Sequence, residues 1–247
     1  MKKELSYKQV KVCDLSNTNI EQMYYLMQEN YDFVELGRFK SDLYKKDLVG
    51  ILIDSDNFIQ GFTTFSLNPC EYENSDFNIL FSGDTVISSS YTGSQELAKG
   101  WCKTAGYFLA KNPHKKLFWY LMSKGDRTYL YLPFFFNNYY PSISKEYSSE
   151  YYRIANSVSS YLFGNNWHPL EGVIKFDSSL GQIKKVHVEK SFSKSNRHVK
   201  FFISKNPGFI NGEELVCVTE ISVDNLKRYA KDLVKSSYDY YRKKLEK

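Results

Sequence analysis

Apolar residues recur along this chain with two different periods, and the alternation between the two predicts a mixed α+β protein. Ile20, Met23, Tyr24, Met27 and Tyr31 stand three or four residues apart, which makes residues 20–31 an amphipathic helix with Thr18 or Asn19 as its cap. Tyr147, Tyr151, Ile154, Val158, Tyr161 and Leu162 repeat the pattern over residues 146–163, and Gly164-Asn165-Asn166 stops it. A third stripe, Leu226, Ala230, Leu233, Val234, Tyr240 and Tyr241, runs through residues 224–247. Lys227, Lys231, Lys235, Lys243 and Lys244 lie off that stripe, as on a solvated helix packed by one face; a surface for an acidic partner is the alternative use.

Strand signals lie between these helices. Residues 7–14 alternate, with Tyr7, Val10 and Val12 directed inward, and residues 38–46 form a second short helix. Residues 47–54 and 58–67 flank the turn Asp54-Ser55-Asp56-Asn57 as a hairpin, with Gly61 marking a bulge. Leu117–Ser123 is a short apolar run suited to a central, fully buried strand. Pro133 breaks any helix through the segment that follows or sits in its first turn. Residues 197–204 and 214–221 read as two further strands separated by Asn206-Pro207-Gly208 and the residues up to Gly212. The centre of the pattern is residues 78–110: a strand, a turn of Ser, Tyr, Thr and Gly, and a helix. Such a junction presents unpaired helix amides and the positive end of the macrodipole, so an anion at Tyr91, Thr92, Gly93 and Ser94 could be held by backbone alone. The alternative is that Gly93 only turns the chain.

Composition changes this picture in two places. Aromatic residues make up 17%, with 21 Tyr and 18 Phe, more than one small core needs, which points to a large amphipathic pocket or a Tyr-rich interaction surface. A net charge of +5 without an Arg-rich face argues against nucleic acid as a partner. Cys13, Cys70, Cys102 and Cys217 are scattered and form no C-x-x-C pair, so neither a metal site nor a disulfide framework is expected. Basic residues at the start are followed by no apolar core, and no run of 18 apolar residues occurs, which is the pattern of a soluble cytoplasmic protein without a transmembrane segment. Lys-, Asn- and Tyr-rich usage suggests a bacterial source. No nucleophile elbow, P-loop or dinucleotide glycine pattern is present, which turns the reading away from hydrolase, kinase and dehydrogenase chemistry.

The order of elements over residues 7–141, a strand, two helices, three antiparallel strands, a helix, a strand and a helix, resembles the GNAT superfamily of N-acetyltransferases. That resemblance implies a mostly antiparallel, twisted central sheet flanked by helices. It assigns residues 1–141 to an acyl-donor-binding core and residues 142–247 to a helix-strand-strand-helix elaboration on the same domain. In this family the fourth strand binds the pantetheine arm and the following turn binds the pyrophosphate. Thr85, Val86, Ile87 and Ser88 would line the arm, and Tyr91, Thr92, Gly93 and Ser94 the phosphate. The family's signature Gln/Arg-x-x-Gly-x-Gly/Ala is matched here only at Gly93, since Ser90 and Gln95 occupy its ends. A donor carried on acyl carrier protein, with a single phosphate, would tolerate that loss, as in the acyl-homoserine-lactone synthases and long-chain N-acyl amino acid synthases of this broad fold. The tyrosine that many members use to protonate the leaving thiolate aligns with Phe135, leaving Tyr131 and Tyr140 as neighbours.

Acyl transfer needs a base for the acceptor amine and a donor that polarises the thioester carbonyl. Asp84 is the candidate base, because it interrupts an apolar strand where burial raises a carboxyl pKa; a structural Asp paired with Arg127 is the alternative. The amide of Val86 or Ile87 could polarise the carbonyl. Arg127 could grip an acceptor carboxylate or form a structural ion pair. His168, in a loop beside Trp167 and Pro169, is a second candidate base, and Cys102 reads as an inert buried thiol. The expected activity is transfer from acyl-CoA or acyl-ACP to an amine of a small molecule or protein, with no metal. Lys99, Lys103, Lys111, Lys115 and Lys116 offer charge to an acidic carrier protein. The competing class is a non-catalytic GNAT-shaped module that binds a protein partner through its tyrosines.

Overall fold

The computed structural model describes residues 4–72, 75–144, 149–176 and 181–246. The chain opens with β1 (Leu5–Lys11), a 3-10 turn at Val12–Asp14, α1 (Asn17–Asn30), the two-residue β2 (Tyr31–Asp32) and α2 (Leu36–Leu43). The antiparallel strands β3 (Leu48–Asp54), β4 (Ile59–Tyr72) and β5 (Ser75–Ile87) follow, then α3 (Glu96–Lys111) and β6 (Lys116–Ser123). Two single-turn helices, α4 (Asp126–Tyr129) and α5 (Tyr131–Phe135), come next, with Pro133 in the first turn of α5. The remainder is α6 (Ser149–Phe163), the short strands β7 (Trp167–His168), β8 (Val173–Ile174) and β9 (Gln182–Ile183), α7 (Lys185–Phe192), α8 (Arg197–Lys205), β10 (Glu214–Glu220) and α9 (Arg228–Leu245).

Eight strands form one mixed sheet in the order β1-β3-β4-β5-β6-β10-β8-β7, antiparallel except for the β5–β6 pair, with helices on both faces. Across residue 141 the sheet is continuous, because β10 pairs with β6 from Leu215↔Ser123 to Glu220↔Phe118. On one face α3 and α9 cover a core that includes Leu48, Phe65, Leu80, Trp101, Trp119, Leu121, Phe135 and Val234. On the other face α1 and α2 cover Val49, Ile51, Phe62 and Val86, while α6 covers Phe77, Ile79, Phe118, Tyr120 and Val216. Alternating side chains along each strand supply the two faces. The approach of α3 is close. Tyr7 lies between β3 and α3, and a Cβ on Gly100 would fall 2.1 Å from its ring.

Several sequence expectations are corrected. The first strand ends at Lys11, and Val12 is buried from the 3-10 turn that follows it. The cap of α1 is Ser16 rather than Thr18 or Asn19: Ser16 Oγ accepts from Asn19 N at 3.1 Å, while Asn19 Oδ1 accepts from Ser16 N at 3.3 Å. The second helix lies at Leu36–Leu43, shifted towards the N-terminus. Residues 197–204 are helical, not a strand, since Val199 and Phe202 bury one face at three-residue spacing and Asn196 caps the helix through His198 N. Among the described residues the C-terminal region therefore holds four helices and four strands, β7 to β10, where the expected order was helix-strand-strand-helix. Residues 146–148 of the expected helix, including Tyr147, lie outside the described residues. Because Ser16 Oγ satisfies the Asn19 backbone N–H in the first turn of α1, Ser16→Ala is expected to cost about 1 kcal/mol, read as a lower urea midpoint at unchanged m-value.

Candidate active site at the β5–β6 divergence

The parallel ladder between β5 and β6 runs from Phe77↔Lys116 to Ser82↔Leu121 and stops there. Beyond that point β6 stays with β10 and β5 stays with β4, so a gap opens between two central strands. A bulge lies at the same place. The β4–β5 register shifts between Thr63↔Thr85 and Phe65↔Ser82, which leaves Gly83 and Asp84 facing Thr64 alone. Glycine is needed there, since a Cβ on Gly83 would lie 2.6 Å from Thr64 Oγ1. The bulge also inverts the alternation. Before it, odd-numbered Phe77 and Ile79 face α6; after it, even-numbered Val86 joins the α1 cluster, and Asp84 shares that face.

Ser88 N donates to Gln60 O at 2.8 Å, which makes Gln60 and Ser88 a hydrogen-bonded pair of the antiparallel ladder. By alternation Phe62 and Val86 form the next such pair, and the main-chain groups of Thr85 and Ile87 turn away from β4 into the gap. Ile87 O is already met from that side by Asn30 Nδ2 at 3.4 Å. Of the two expected carbonyl-polarising amides, Ile87 faces the gap and Val86 faces β4.

Around Asp84 the chain gathers residues from five separate segments. Lys124 Nζ lies 3.5 Å from Glu214 Oε1, donates to Gly181 O at 3.2 Å and sits 5.9 Å from the centre of the Tyr31 ring. Lys46 Nζ stands 4.3 Å from the centre of Phe81. Burial raises the Asp84 carboxyl above its ordinary range, and the Lys124 and Lys46 ammoniums oppose that shift. Burial also raises Glu214, with Lys124 opposing and Asp84 adding to the rise. Lys46 is lowered by burial and supported by Asp84. The Tyr31 phenol is raised by burial and by the carboxylates of Asp84 and Glu214, with Arg127 opposing. Glu214 keeps the ammonium contact, so Asp84 is the freer base of the two.

Tyr31, Lys46, Lys124, Glu214 and His187 were not among the expected site residues. Glu214 carried the signal that marked Asp84, an acid in an apolar strand; the others become visible only when distant segments meet. Arg127, whose alternatives were a grip on an acceptor carboxylate and a structural ion pair such as one with Asp84, places Nη2 3.5 Å from His187 Nδ1. Its neighbour Asp126 is buried and held by Ser191 Oγ and Lys194 Nζ.

The remaining candidates are placed elsewhere. Tyr140 bridges Val218, four residues along β10 from Glu214 or about 13 Å at ~3.3 Å per residue, and packs 5.5 Å from Tyr152. His168 lies on the sheet's outermost strand, three strand spacings or about 14 Å from β6, beside Glu171 at 3.9 Å. Phe135 is buried with its ring stacked on Trp101, and Tyr131 is half-buried with its ring 5.6 Å from Phe135. Thr85 Oγ1 bonds Thr63 Oγ1 at 2.8 Å, and Val86 and Ser88 are buried. In the turn, Gly93 adopts φ 87° with open space beside it and Tyr91 is buried. Thr92 N donates to Ser89 O at 3.3 Å. Ser94 Oγ accepts from Glu96 N at 3.3 Å, so one first-turn amide of α3 is already taken and an acid stands where an anion would sit. Lys99, Lys115 and Lys116 are paired with Glu96, Asp76 and Glu150, exposed contacts of small worth. Cys102 is buried, its thiol pushed up to about 12 by that burial.

Among the described residues no cluster of His, Cys, Asp and Glu could hold a metal ion, and no helix is long and apolar enough to cross a membrane. No protein-family model matches the chain, and no curated protein matches it. Solved structures similar to it in fold include a conserved protein from Enterococcus faecalis V583 described as a probable N-acyltransferase. That pair has 14% identity and a TM-score of 0.40, covering 51% of this chain and 31% of the other. A GNAT family N-acetyltransferase from Escherichia coli in complex with CoA has 13% identity and a TM-score of 0.36, covering 50% and 65% of the two chains. A GCN5-related N-acetyltransferase from Kribbella flavida has 10% identity and a TM-score of 0.39, covering 55% and 34%. The match thus spans about a third of the first and last of these proteins.

Proposed function

We propose that the protein transfers an acyl group from a thioester donor to an amine at the β5–β6 divergence. The observation that carries this reading is the coincidence of the gap with the bulge. The gap offers the Ile87 and Thr85 amides to an extended donor arm, and the bulge sets Asp84 beside it, within reach of the Lys124 and Lys46 charges. An acyl thioester lying in the gap would place its carbonyl oxygen near a backbone donor. Asp84 takes the proton of the attacking amine, the C–N bond forms, and the C–S bond breaks without a covalent enzyme intermediate. The departing thiolate is protonated by solvent. Acyl-CoA and acyl carrier protein are both candidate donors, and the part-filled turn at Ser94 and Glu96 favours the donor with one phosphate.

That turn is also what favours the second reading, a module that binds a partner without catalysis. Native mass spectrometry after mixing with acetyl-CoA, a long-chain acyl-CoA and an acyl carrier protein loaded with the same chain separates them. The transferase reading expects one donor to be retained, and at a hundred times its dissociation constant that donor should add about 2.7 kcal/mol of stability. Retention of none of the three would hand the case to the binding module.

A further inference from the structure

Arg127 is a half-buried guanidinium that forms no ion pair with a carboxylate among the described residues: its side-chain hydrogen bond there is to the His187 imidazole, at 3.5 Å. The acid next to it in sequence, Asp126, is held instead by Ser191 and Lys194. His187 itself is lowered by burial and by Arg127, Lys190 and Lys184, with Glu29 opposing, so an uncharged ring stands beside a fixed cation. A guanidinium fork in such a setting matches a planar carboxylate in two parallel bonds.

The same nook lies close to the candidate base. Arg127 is three residues beyond Lys124, whose ammonium touches Glu214 and faces Tyr31. The Tyr31 phenol feels Asp84, Glu214 and Arg127 together, so opposite charges line one opening, with carboxylates at Asp84 and Glu214 and a guanidinium at Arg127. The segment 181–188 lies across it: β9 pairs with β2 at Tyr31↔Ile183, and Lys184 N donates to Asn30 O at 3.3 Å. Ile183 Cδ1 comes within 3.0 Å of where a Cβ on Gly125 would stand. Such a cover favours an acceptor that enters whole over a polypeptide threaded through.

We propose that the acceptor is a small zwitterion of the free amino acid class, its carboxylate gripped by Arg127 and its amine presented to Asp84. The assignment of the amine end rests on the acyl-transfer reading; the anion site does not.

Binding can be read without turnover. Pools of the twenty L-amino acids, of the corresponding decarboxylated amines and of simple carboxylic acids are presented to the full chain in ligand-observed NMR, each with and without CoA. At least one amino acid is expected to bind at least tenfold more tightly than its decarboxylated counterpart, and Arg127→Gln is expected to weaken it at least tenfold with the circular dichroism spectrum retained. Arg127→Lys, which keeps the charge and loses the fork, serves if the Gln variant does not fold, and is expected to weaken binding as well. Equal binding of the decarboxylated amine, unaltered binding in the variants, or no amino acid bound would each overturn the proposal. Failure of every thioester to bind would instead remove the acyl-transfer reading while a bound amino acid kept the anion site.

Discussion

Asp84→Asn is expected to lower turnover by about 10²–10⁴-fold with the donor retained in the mixing experiment, the range for loss of a positioned base. The accompanying pH profile makes the test specific. Burial holds the Asp84 acid form against Lys124 and Lys46, so its folded pKa lies above the ordinary carboxylate value of about 3.9. A base must be ionised, and turnover therefore falls as pH drops through that raised value. The acid limb should stand above the usual carboxylate range and vanish in the Asn variant. Stability moves in the opposite sense. A group whose folded pKa is raised adds stability at low pH, and that stability is lost as pH rises through the folded value. Urea midpoints of the parent should thus decline over this window more than those of Asp84→Asn, with Glu214 contributing a slope of the same sign in both. A variant that keeps a third of the parental turnover would remove Asp84 from the chemistry.

Trp101→Ala is expected to produce the largest loss of stability. Trp101 is 1% exposed in the α3 face of the core, with ring centres 4.3 Å from Trp119 and 5.8 Å from Phe135, the latter stacked at 15°. Removing it leaves a cavity among large rings whose backbones are fixed by the sheet and by α5, so collapse into the space is limited. The cost is about 3–5 kcal/mol. At ~2–4 °C per kcal/mol for a domain of this size, melting should fall by roughly 6–20 °C. Calorimetry reads this directly. A drop under about 2 °C would mean that the core reorganises to fill the site.

The hydrophobic pattern carried most of the frame because each long element declares its own period. The stripe of α1, the turn between the apolar runs of β3 and β4, and the buried run of β6 were legible for that reason. Residues 197–204 were not: Val199, Phe201 and Ile203 alternate while Val199 and Phe202 also fit a helix, and eight residues are too few to separate the two. The choice is made by tertiary packing against Tyr129 and Phe209, at 5.7 and 5.5 Å from the Phe202 ring. Ser16 was overlooked because a cap is defined by where the first turn begins, a boundary that apolar spacing places only to within a few residues. The candidate site divides in the same way. Asp84 was visible as a lone acid in an apolar strand, whereas Lys46, Lys124 and His187 are ordinary polar residues whose meaning depends on a sheet split that no local period encodes.

That β6 is completed by β10 has a consequence during synthesis. The two strands bracket residues 124–213, all of which must be made after Ser123 before Glu214 can arrive. At ~5–20 residues per second the ribosome needs roughly 5–18 s for that stretch. Throughout it, the strand Leu117-Phe118-Trp119-Tyr120-Leu121 has one side paired with β5 and the other bare, an apolar edge of the kind that templates aggregation. Nascent chains arrested shortly before residue 214 should accordingly engage a holding chaperone far more than chains released at full length.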